Sequence, residues 1–323
     1  MEPILAIPPT IRPAEPQGAT YRLVYVSGSG RSGSTMLERI LHSAPGVFAA
    51  GEFHCLWRQP GPDIRCACGT PFAADPFWQA VLAEAGIGPA QLAELAALER
   101  AVSRTGMLAR AGFSLERLGC NPSVRRFLAL QDSLFRAIAK VSGRSVLVDS
   151  SKAGPRAWLL ALLPAARLVH LHRDPADVLV SWRSAKFDPG LGTLMKRMPV
   201  RAAAAEWWKV DRLAGLLARQ RPIMRVDYER LCAAPRPVVE DLWARLRLSP
   251  QEGPQWLSAD TVQPGANYHS LNGNPDRFDA GPLRIAPRRA DWSRLAPRER
   301  PAIRLAAAAL RALAWQAPEP RRG

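Results

Sequence analysis

Apolar residues follow two rhythms along the chain. Short runs rich in β-branched and aliphatic residues stand at Tyr21–Val26 (YRLVYV), Ser145–Val148 (SVLV), Arg167–Leu171 (RLVHL) and Ile223–Val226 (IMRV). Each reads as a strand. Helical spacing covers Thr35–Ser43, Arg156–Leu163, Val200–Ala218, Val238–Leu246 and Arg298–Trp315. One more short strand is expected inside LHSAPGVFAAGEF, with Glu52 at its end. This alternation predicts an α/β fold of three layers: a central, mainly parallel sheet with helices on both faces. An Ala/Leu/Arg-rich stretch from about 79 to 140 interrupts the strands and reads as a helical insertion. Residues 1–20 carry prolines at 3, 8, 9, 13 and 16 and are expected to form an irregular arm. Residues 21–323 are expected to form one domain. There are no internal repeats.

The first strand runs into Gly28-Ser29-Gly30-Arg31-Ser32-Gly33-Ser34-Thr35. Strand, glycine loop and helix open a nucleotide-binding α/β unit, so the fold is expected to be P-loop-like. The loop fits G-x4-G-x-[ST], with Ser34 where the P-loop lysine belongs. Its backbone N–H groups can still form an anion nest, helped by the helix N-terminus. What is lost is the cation that reaches the outer phosphates of ATP or GTP. Arg31 supplies a positive charge at a different place. A ligand-free glycine turn and an NTPase with a degenerate loop remain alternatives.

A second motif follows a later strand. Arg173 stands at the carboxyl end of RLVHL, where open α/β sheets bind ligands. Ser181 lies eight residues on, in the expected next helix. Asp174 before Pro175 reads as an N-cap with proline at the first helical position.

Charge and composition narrow the partners. The 323 residues are 47% hydrophobic and 22% charged, enough for a core and unlike a disordered chain. Collagen, coiled coil and disulfide scaffold are excluded. A formal net charge of +16 favours nucleic acid, a membrane surface or a polyanionic small molecule. Most of the basic residues are Arg, suited to bidentate contact with phosphate or sulfate. Met1–Gly18 lacks the basic start and apolar run of a secretory signal, and Ala157–Ala166 is too short an apolar run to span a bilayer. A cytoplasmic protein with reduced thiols and no transmembrane segment is the expectation.

With both motifs in view, the sequence resembles sulfotransferases that use 3′-phosphoadenylyl sulfate (PAPS). GSGRSGSTMLERIL (Gly28–Leu41) is similar to their 5′-phosphosulfate loop. RLVHLHRDPADVLVS (Arg167–Ser181) is similar to their 3′-phosphate motif. Gly51-Glu52-Phe53, VLVDSSK (Val146–Lys152), RVDYERL (Arg225–Leu231) and NGNPDRF (Asn272–Phe278) match further stretches of such proteins. The resemblance spans roughly residues 21–315 and is closest to bacterial members, with a likeness to the tyrosylprotein and Golgi-type group.

The resemblance implies in-line transfer of a sulfuryl group from PAPS to a hydroxyl or amine, with PAP released. Ser32, Gly33, Ser34 and Thr35 would cradle the 5′-phosphate. Arg31 and Lys152 would stabilise charge on the transferring group and the leaving phosphate. Arg173 and Ser181 would hold the 3′-phosphate, Tyr228 would pack near the adenine, and Asn274 and Arg277 would contact the cofactor from a capping loop. Glu52 matches the catalytic glutamate of the Golgi-type group and is the leading base. His54 is the rival, expected on the same strand face, and a salt bridge that orients Arg31 is the plainer role for Glu52. The sulfuryl group carries less charge than a γ-phosphoryl group, so no metal is expected. The insertion at 79–140 is expected to shape the site of a small-molecule, carbohydrate or peptide acceptor.

Other residues carry blander readings. His170 and His172 are expected to be hydrogen-bonded in the interior. Cys66-Ala67-Cys68-Gly69 with Cys55 upstream is a poor zinc pattern, since zinc sites usually show C-x2-C pairs and four ligands. Similar bacterial members often carry a cysteine where Asp75 precedes Pro76-Phe77-Trp78, so packing or a redox-labile pair is preferred. Cys120 and Cys232 are expected to be ordinary. Trp57, Trp207 and Trp208 are core or pocket-lining. The arginine pairs at 125–126 and 288–289 face solvent or steer an anionic substrate. A P-loop kinase or NTPase is the first alternative, weakened because Asp149 ends a strand but is followed by SSK. A basic protein binding nucleotide or nucleic acid is the second, though no nucleic-acid motif is present and no nucleic acid is expected.

Overall fold

The computed structural model describes residues 20–58, 65–185, 187–188, 192–248 and 253–316. The expected arm at 1–20 lies almost wholly outside them.

β1 (Arg22–Gly28) leads into α1 (Ser34–His42), which returns the chain to β2 (Val47–Gly51). α2 (Cys55–Arg58) is one turn. Five helices then stand between β2 and β3: α3 (Pro76–Ala85), α4 (Pro89–Val102), α5 (Thr105–Arg110), α6 (Leu115–Gly119) and α7 (Pro122–Ser142). The caps explain their limits. Asn121 accepts from the N–H groups of Ser123 and Val124, Pro122 needs no donor partner there, and left-handed Gly143 ends α7. β3 (Val146–Lys152), α8 (Gly154–Leu160), β4 (Ala166–His172) and α9 (Pro175–Arg183) follow. Asp174 caps α9 with Pro175 at its first position, as the sequence predicts.

A two-residue ladder pairs β5 (Phe187–Asp188) with β6 (Thr193–Leu194). α10 (Val200–Leu217), β7 (Ile223–Asp227), α11 (Tyr228–Ala233) and α12 (Pro235–Arg245) come next. A second small ladder pairs β8 (Thr261–Val262) with β9 (Leu283–Arg284), and α13 (Glu299–Leu313) ends the described chain. Several limits differ by a few residues from the sequence reading. α12 starts three residues early because Pro235 suits a first turn. Trp315 leaves α13, and its N–H donates to Asp211 instead (2.6 Å).

The main sheet has five parallel strands in the order β2-β3-β1-β4-β7. Successive side chains of a strand point to opposite faces. Leu23 and Tyr25 join the core under α3, α7 and α8, while Val24 and Val26 join the one under α1, α11 and α12. A third cluster packs α13 against α9 and α10. The three-layer α/β reading is therefore correct.

His170 and His172 on β4 both approach the buried carboxylate of Asp211 (3.6 and 3.5 Å), and His170 also meets Ser27 (3.2 Å). The expected interior role holds.

His42 clamps the end of α1. Its Nδ1 accepts from the N–H of Ala49 (3.2 Å) and from Arg144 (3.3 Å), so its Nε2–H donates to the carbonyl of Ala266 (3.2 Å). Burial, aided by Arg144, brings its pKa from 6.5 down to about 3. Above pH 6.5 the ring is neutral in both folded and unfolded chains. Between pH 6.5 and about 3 only the unfolded chain takes the proton, so stability falls as the pH falls through that window. His42→Gln should flatten this decline in melting temperature; equal slopes would remove His42 as its source.

Candidate functional site

Every strand of the main sheet delivers a chemically active residue at its carboxyl end. β1 ends in the glycine loop, Glu52 follows β2, Lys152 closes β3, Arg173 follows β4 and Tyr228 follows β7. A cleft of about 500 Å³ opens there. Arg31, Gly33, Ser34, Thr35, Glu52, Lys152, Arg173, Ser181, Tyr228 and Asn274 all line it. These residues are far apart in sequence, and only the parallel sheet brings them to one edge.

The loop is built for an anion. The N–H groups of Arg31, Gly33, Ser34 and Thr35 have no backbone acceptor among the described residues. They lie at or before the start of α1, where the helix dipole is positive. Gly33 has φ 96°, and a Cβ there would stand 2.6 Å from the Tyr228 ring. Gly33→Ala should therefore push Tyr228 aside and cost about 1–2 kcal/mol of stability, as a fall in melting temperature would show.

Three non-glycine residues of the site adopt left-handed backbone: the two cations Arg31 (φ 71°) and Lys152 (φ 66°), and Asn272 (φ 53°). That conformation costs about 1–2 kcal/mol each, offset here by the surrounding contacts. It turns both cationic side chains toward the cleft. Arg31 donates to the sulfur of Met195 (3.1 Å) and its guanidinium sits 5.0 Å from the Trp182 ring. Burial lowers its pKa, while Glu52 and Asp188 counteract this.

Lys152 donates to Glu52 Oε1 (2.5 Å), and Asn272 donates to Glu52 Oε2 (3.2 Å). The partner of Glu52 is thus Lys152 and not the Arg31 that the plainer sequence reading named. The position of Glu52 is set by the backbone. Its N–H donates to the carbonyl of Leu271 (2.7 Å), while the N–H of Leu271 donates to Ala50 (2.9 Å). Below this pair, the buried carboxylate of Glu38 accepts from Ser150, Tyr268 and Ser270 (2.5, 2.7 and 2.6 Å). Those bonds tie α1, β3 and the capping segment together.

His54 does not share a strand face with Glu52, because β2 stops at Gly51 and the chain turns into α2. Its ring is buried off the cleft, and burial, with Arg58 adding, pushes its pKa well below 6.5. It is badly placed to act as a base.

Arg173 donates to the carbonyl of Arg31 (2.9 Å) and to that of Arg288, and lies 4.2 Å from the Tyr228 ring. The Tyr228 hydroxyl accepts from the N–H of Arg288 (3.1 Å), and the N–H of Asn274 donates to Thr35 (3.1 Å). The segment 272–291 thus closes over the glycine loop.

Two expected contacts do not reach the cleft. Arg277 is fully buried, donates to Gly273 (2.9 Å) and pairs with Asp188 (3.3 Å), so it holds the capping loop from behind. Ser32 lies beneath the loop. The helices α3–α7 contribute no lining residue among those described, so the insertion does not shape this cleft. Trp57 and Trp207 are core: they donate to Glu99 (2.9 Å) and to the carbonyl of Arg173 (3.1 Å). Trp208 is partly exposed.

The sequence reading missed Trp182 and Asn272, which line the cleft together with Arg288 and Arg289, the pair it expected to face solvent or steer an anionic substrate. Trp182 directly follows Ser181, and Asn272 opens NGNPDRF, so adjacency to the motifs was a signal. Nothing local marks the 288–289 pair, because only the fold returns it to the Arg173 side.

The profile of the Sulfotransferase family matches residues 24–252, from within β1 past the end of α12. Similar solved structures include the sulfotransferase domain of the Synechococcus PCC 7002 olefin synthase (20% identity, 94% of this chain, 99% of that one, TM-score 0.46). They also include the sulfotransferase domain from the curacin biosynthetic pathway (16% identity, 94% of this chain, 95% of that one, TM-score 0.45). A third is a sulfotransferase from Mycobacterium tuberculosis H37Rv (18% identity, 72% of this chain, 68% of that one, TM-score 0.42). No curated protein matches the sequence. A family match over more than half of the 323 residues, carrying the glycine loop and the Arg173 motif with it, means that the chain belongs to the sulfotransferase family.

Proposed function

We propose that the protein transfers the sulfuryl group of PAPS to an acceptor hydroxyl or amine and releases PAP. The observation that carries this reading is the meeting of Lys152 and Glu52, one hundred residues apart, at 2.5 Å beside the glycine loop. A carboxylate next to a cation at an anion nest is a base placed beside the position a sulfuryl group would take, within reach of an acceptor's proton.

The residues fit such a substrate. The free N–H groups of the loop suit a 5′-phosphosulfate. Arg173 lines the cleft and its Nε is buried without a hydrogen-bond partner, and a buried donor gains most from an anionic oxygen. Arg173 with Ser181 would hold the 3′-phosphate, and Arg31 with Lys152 would face the oxygens that gain charge during transfer. Tyr228 and Asn274 would bound the nucleotide side. Glu52 would accept the proton of the acceptor as its oxygen or nitrogen bonds to sulfur and the bond from sulfur to the phosphate oxygen breaks.

The kinase alternative loses support in the geometry. Asp149, at the place a nucleotide-dependent metal site would need, accepts from Arg156 (2.9 Å) and Ser151 (2.5 Å) and is wholly buried. Much surface charge is also locally compensated, since Arg126, Arg136, Arg236, Arg245 and Arg311 each pair with a carboxylate.

Calorimetry without Mg²⁺ tests the reading. PAP should bind far more tightly than ADP. Arg173→Ala should lower PAP affinity by roughly 10–100-fold and erase most of that preference. Equal affinities for PAP and ADP in the wild type would sink the proposal.

A further inference from the structure

We propose that Cys66, Cys68, Asp75 and His269 form a tetrahedral zinc site that staples the loop after α2 to the segment carrying Asn272. The inference does not depend on the reaction proposed above.

One donor atom from each of the four residues lies within 4.8 Å of the other three. Cys66 Sγ is 3.8 Å from His269 Nδ1, Cys68 Sγ is 3.4 Å from Asp75 Oδ2, and Asp75 Oδ2 is 2.9 Å from His269 Nδ1. Ligands of a tetrahedral zinc with nitrogen, oxygen and sulfur donors stand roughly 3.3–3.8 Å apart. Two thiolates, an imidazole and a carboxylate are a donor set that selects zinc over the hard cations.

Each ligand is held from outside the cluster. The Cys66 N–H donates to Thr70 (2.9 Å) and the Gly69 N–H donates to Cys66 (2.8 Å), which folds the C-x-C-G turn back on itself with Gly69 at φ 91°. Asp75 uses Oδ1 to cap α3 through the Phe77 N–H (3.0 Å), leaving Oδ2 turned to Cys68 and His269. Asp75 is fully buried, and its side chain pairs with no lysine or arginine among the described residues. The His269 ring stacks on Phe77 (4.6 Å, 15°), and its carbonyl accepts from Trp78 (3.1 Å).

C-x-C alone was a poor zinc pattern because two ligands were missing. The fold supplies one from the α3 cap and one from 203 residues away. Next to His269 the chain runs straight to the cleft. The Ala67 N–H donates to Ser270 (3.0 Å), Leu271 pairs with Ala50 and Glu52, and Asn272 donates to Glu52. The metal would thus be a positioning element for Glu52, with no contact to substrate.

The test is metal content and spectroscopy of the full chain, purified under reducing conditions without chelator. Elemental analysis and native mass spectrometry should find one zinc per chain. Replacement by Co²⁺ should give tetrahedral ligand-field bands with thiolate-to-cobalt charge transfer. Cys68→Ser, at an exposed position that spares the fold, and His269→Asn should each lower occupancy more than tenfold while circular dichroism stays native. Cobalt at tenfold excess that gives no thiolate band in the reduced wild type would overturn the proposal. So would wild-type zinc content in both variants. A Cys66–Cys68 disulfide that on reduction still takes up no cobalt would assign the pair to redox chemistry instead.

Discussion

Glu52→Gln is expected to leave PAP affinity unchanged and to lower turnover by roughly 10²–10⁴-fold, the usual contribution of a general base. The substitution is isosteric. It keeps an oxygen for Lys152, and its NH2 donates to Asn272 once that amide turns its oxygen inward, so the pair keeps its geometry while the basicity goes. Turnover is read as PAP release from PAPS across a panel of phenol, sugar-alcohol and amine acceptors. Lys152→Ala is the companion variant and should behave differently. It removes a cation from the cleft, so it should weaken PAP binding as well as turnover. Unchanged turnover in Glu52→Gln would end the base assignment. Loss of PAP binding in the same variant would mean that Glu52 works only by holding Lys152.

Arg156→Ala should cost about 3–5 kcal/mol of stability, the range for breaking a buried ion pair from one side. Arg156 has no exposed surface. It donates to Asp149 (2.9 Å) and Gln131 (2.6 Å), approaches Glu99 (3.9 Å) and lies 5.2 Å from the Trp57 ring. Removing it leaves Asp149 without its cation in a dry core, while Glu99 keeps Arg58 (2.6 Å). The melting temperature should fall on the order of 10 °C. The consequence reaches the cleft. Asp149 also accepts from the N–H and hydroxyl of Ser151 (2.9 and 2.5 Å), and Ser151 in turn accepts from the His54 N–H (3.3 Å). That chain of bonds shapes the turn that presents Lys152 in its left-handed conformation. Arg156→Met is the control, because it restores volume without charge. A Met variant as unstable as the Ala variant, with a melting loss unaltered by Asp149→Asn, would place the effect in the charge of Glu99. Wild-type stability in Arg156→Ala would refute the buried-pair account.

The glycine loop, the Asp174 cap with Pro175 and the strand ends were legible in the chain because each depends on neighbours a few residues away. A loop must follow its strand and precede its helix, and a cap must precede its first turn, so local spacing is enough. The fold class was legible for the same reason, since alternating strands and helices leave few other layer arrangements.

What failed were statements about who meets whom. Arg277 reads as a contact because it sits in a loop beside Asn274, yet Asp188 draws it into the interior. His54 reads as a neighbour of Glu52 on a strand, yet the strand ends three residues earlier. Arg288 meets the Tyr228 hydroxyl and Arg173 only because the chain returns over the sheet edge.

By itself, then, the sequence determined the α/β architecture, the glycine loop between its first strand and helix, and the identity of most residues at the strand ends. Only the tertiary structure decided that Glu52 pairs with Lys152, that Asp149 is consumed by Arg156, and that Asp75 and His269 complete a four-ligand cluster with two cysteines. Local structure follows from backbone sterics and nearest-neighbour hydrogen bonds. Pairings across a hundred or more residues follow from how whole layers pack, which no short stretch of sequence encodes.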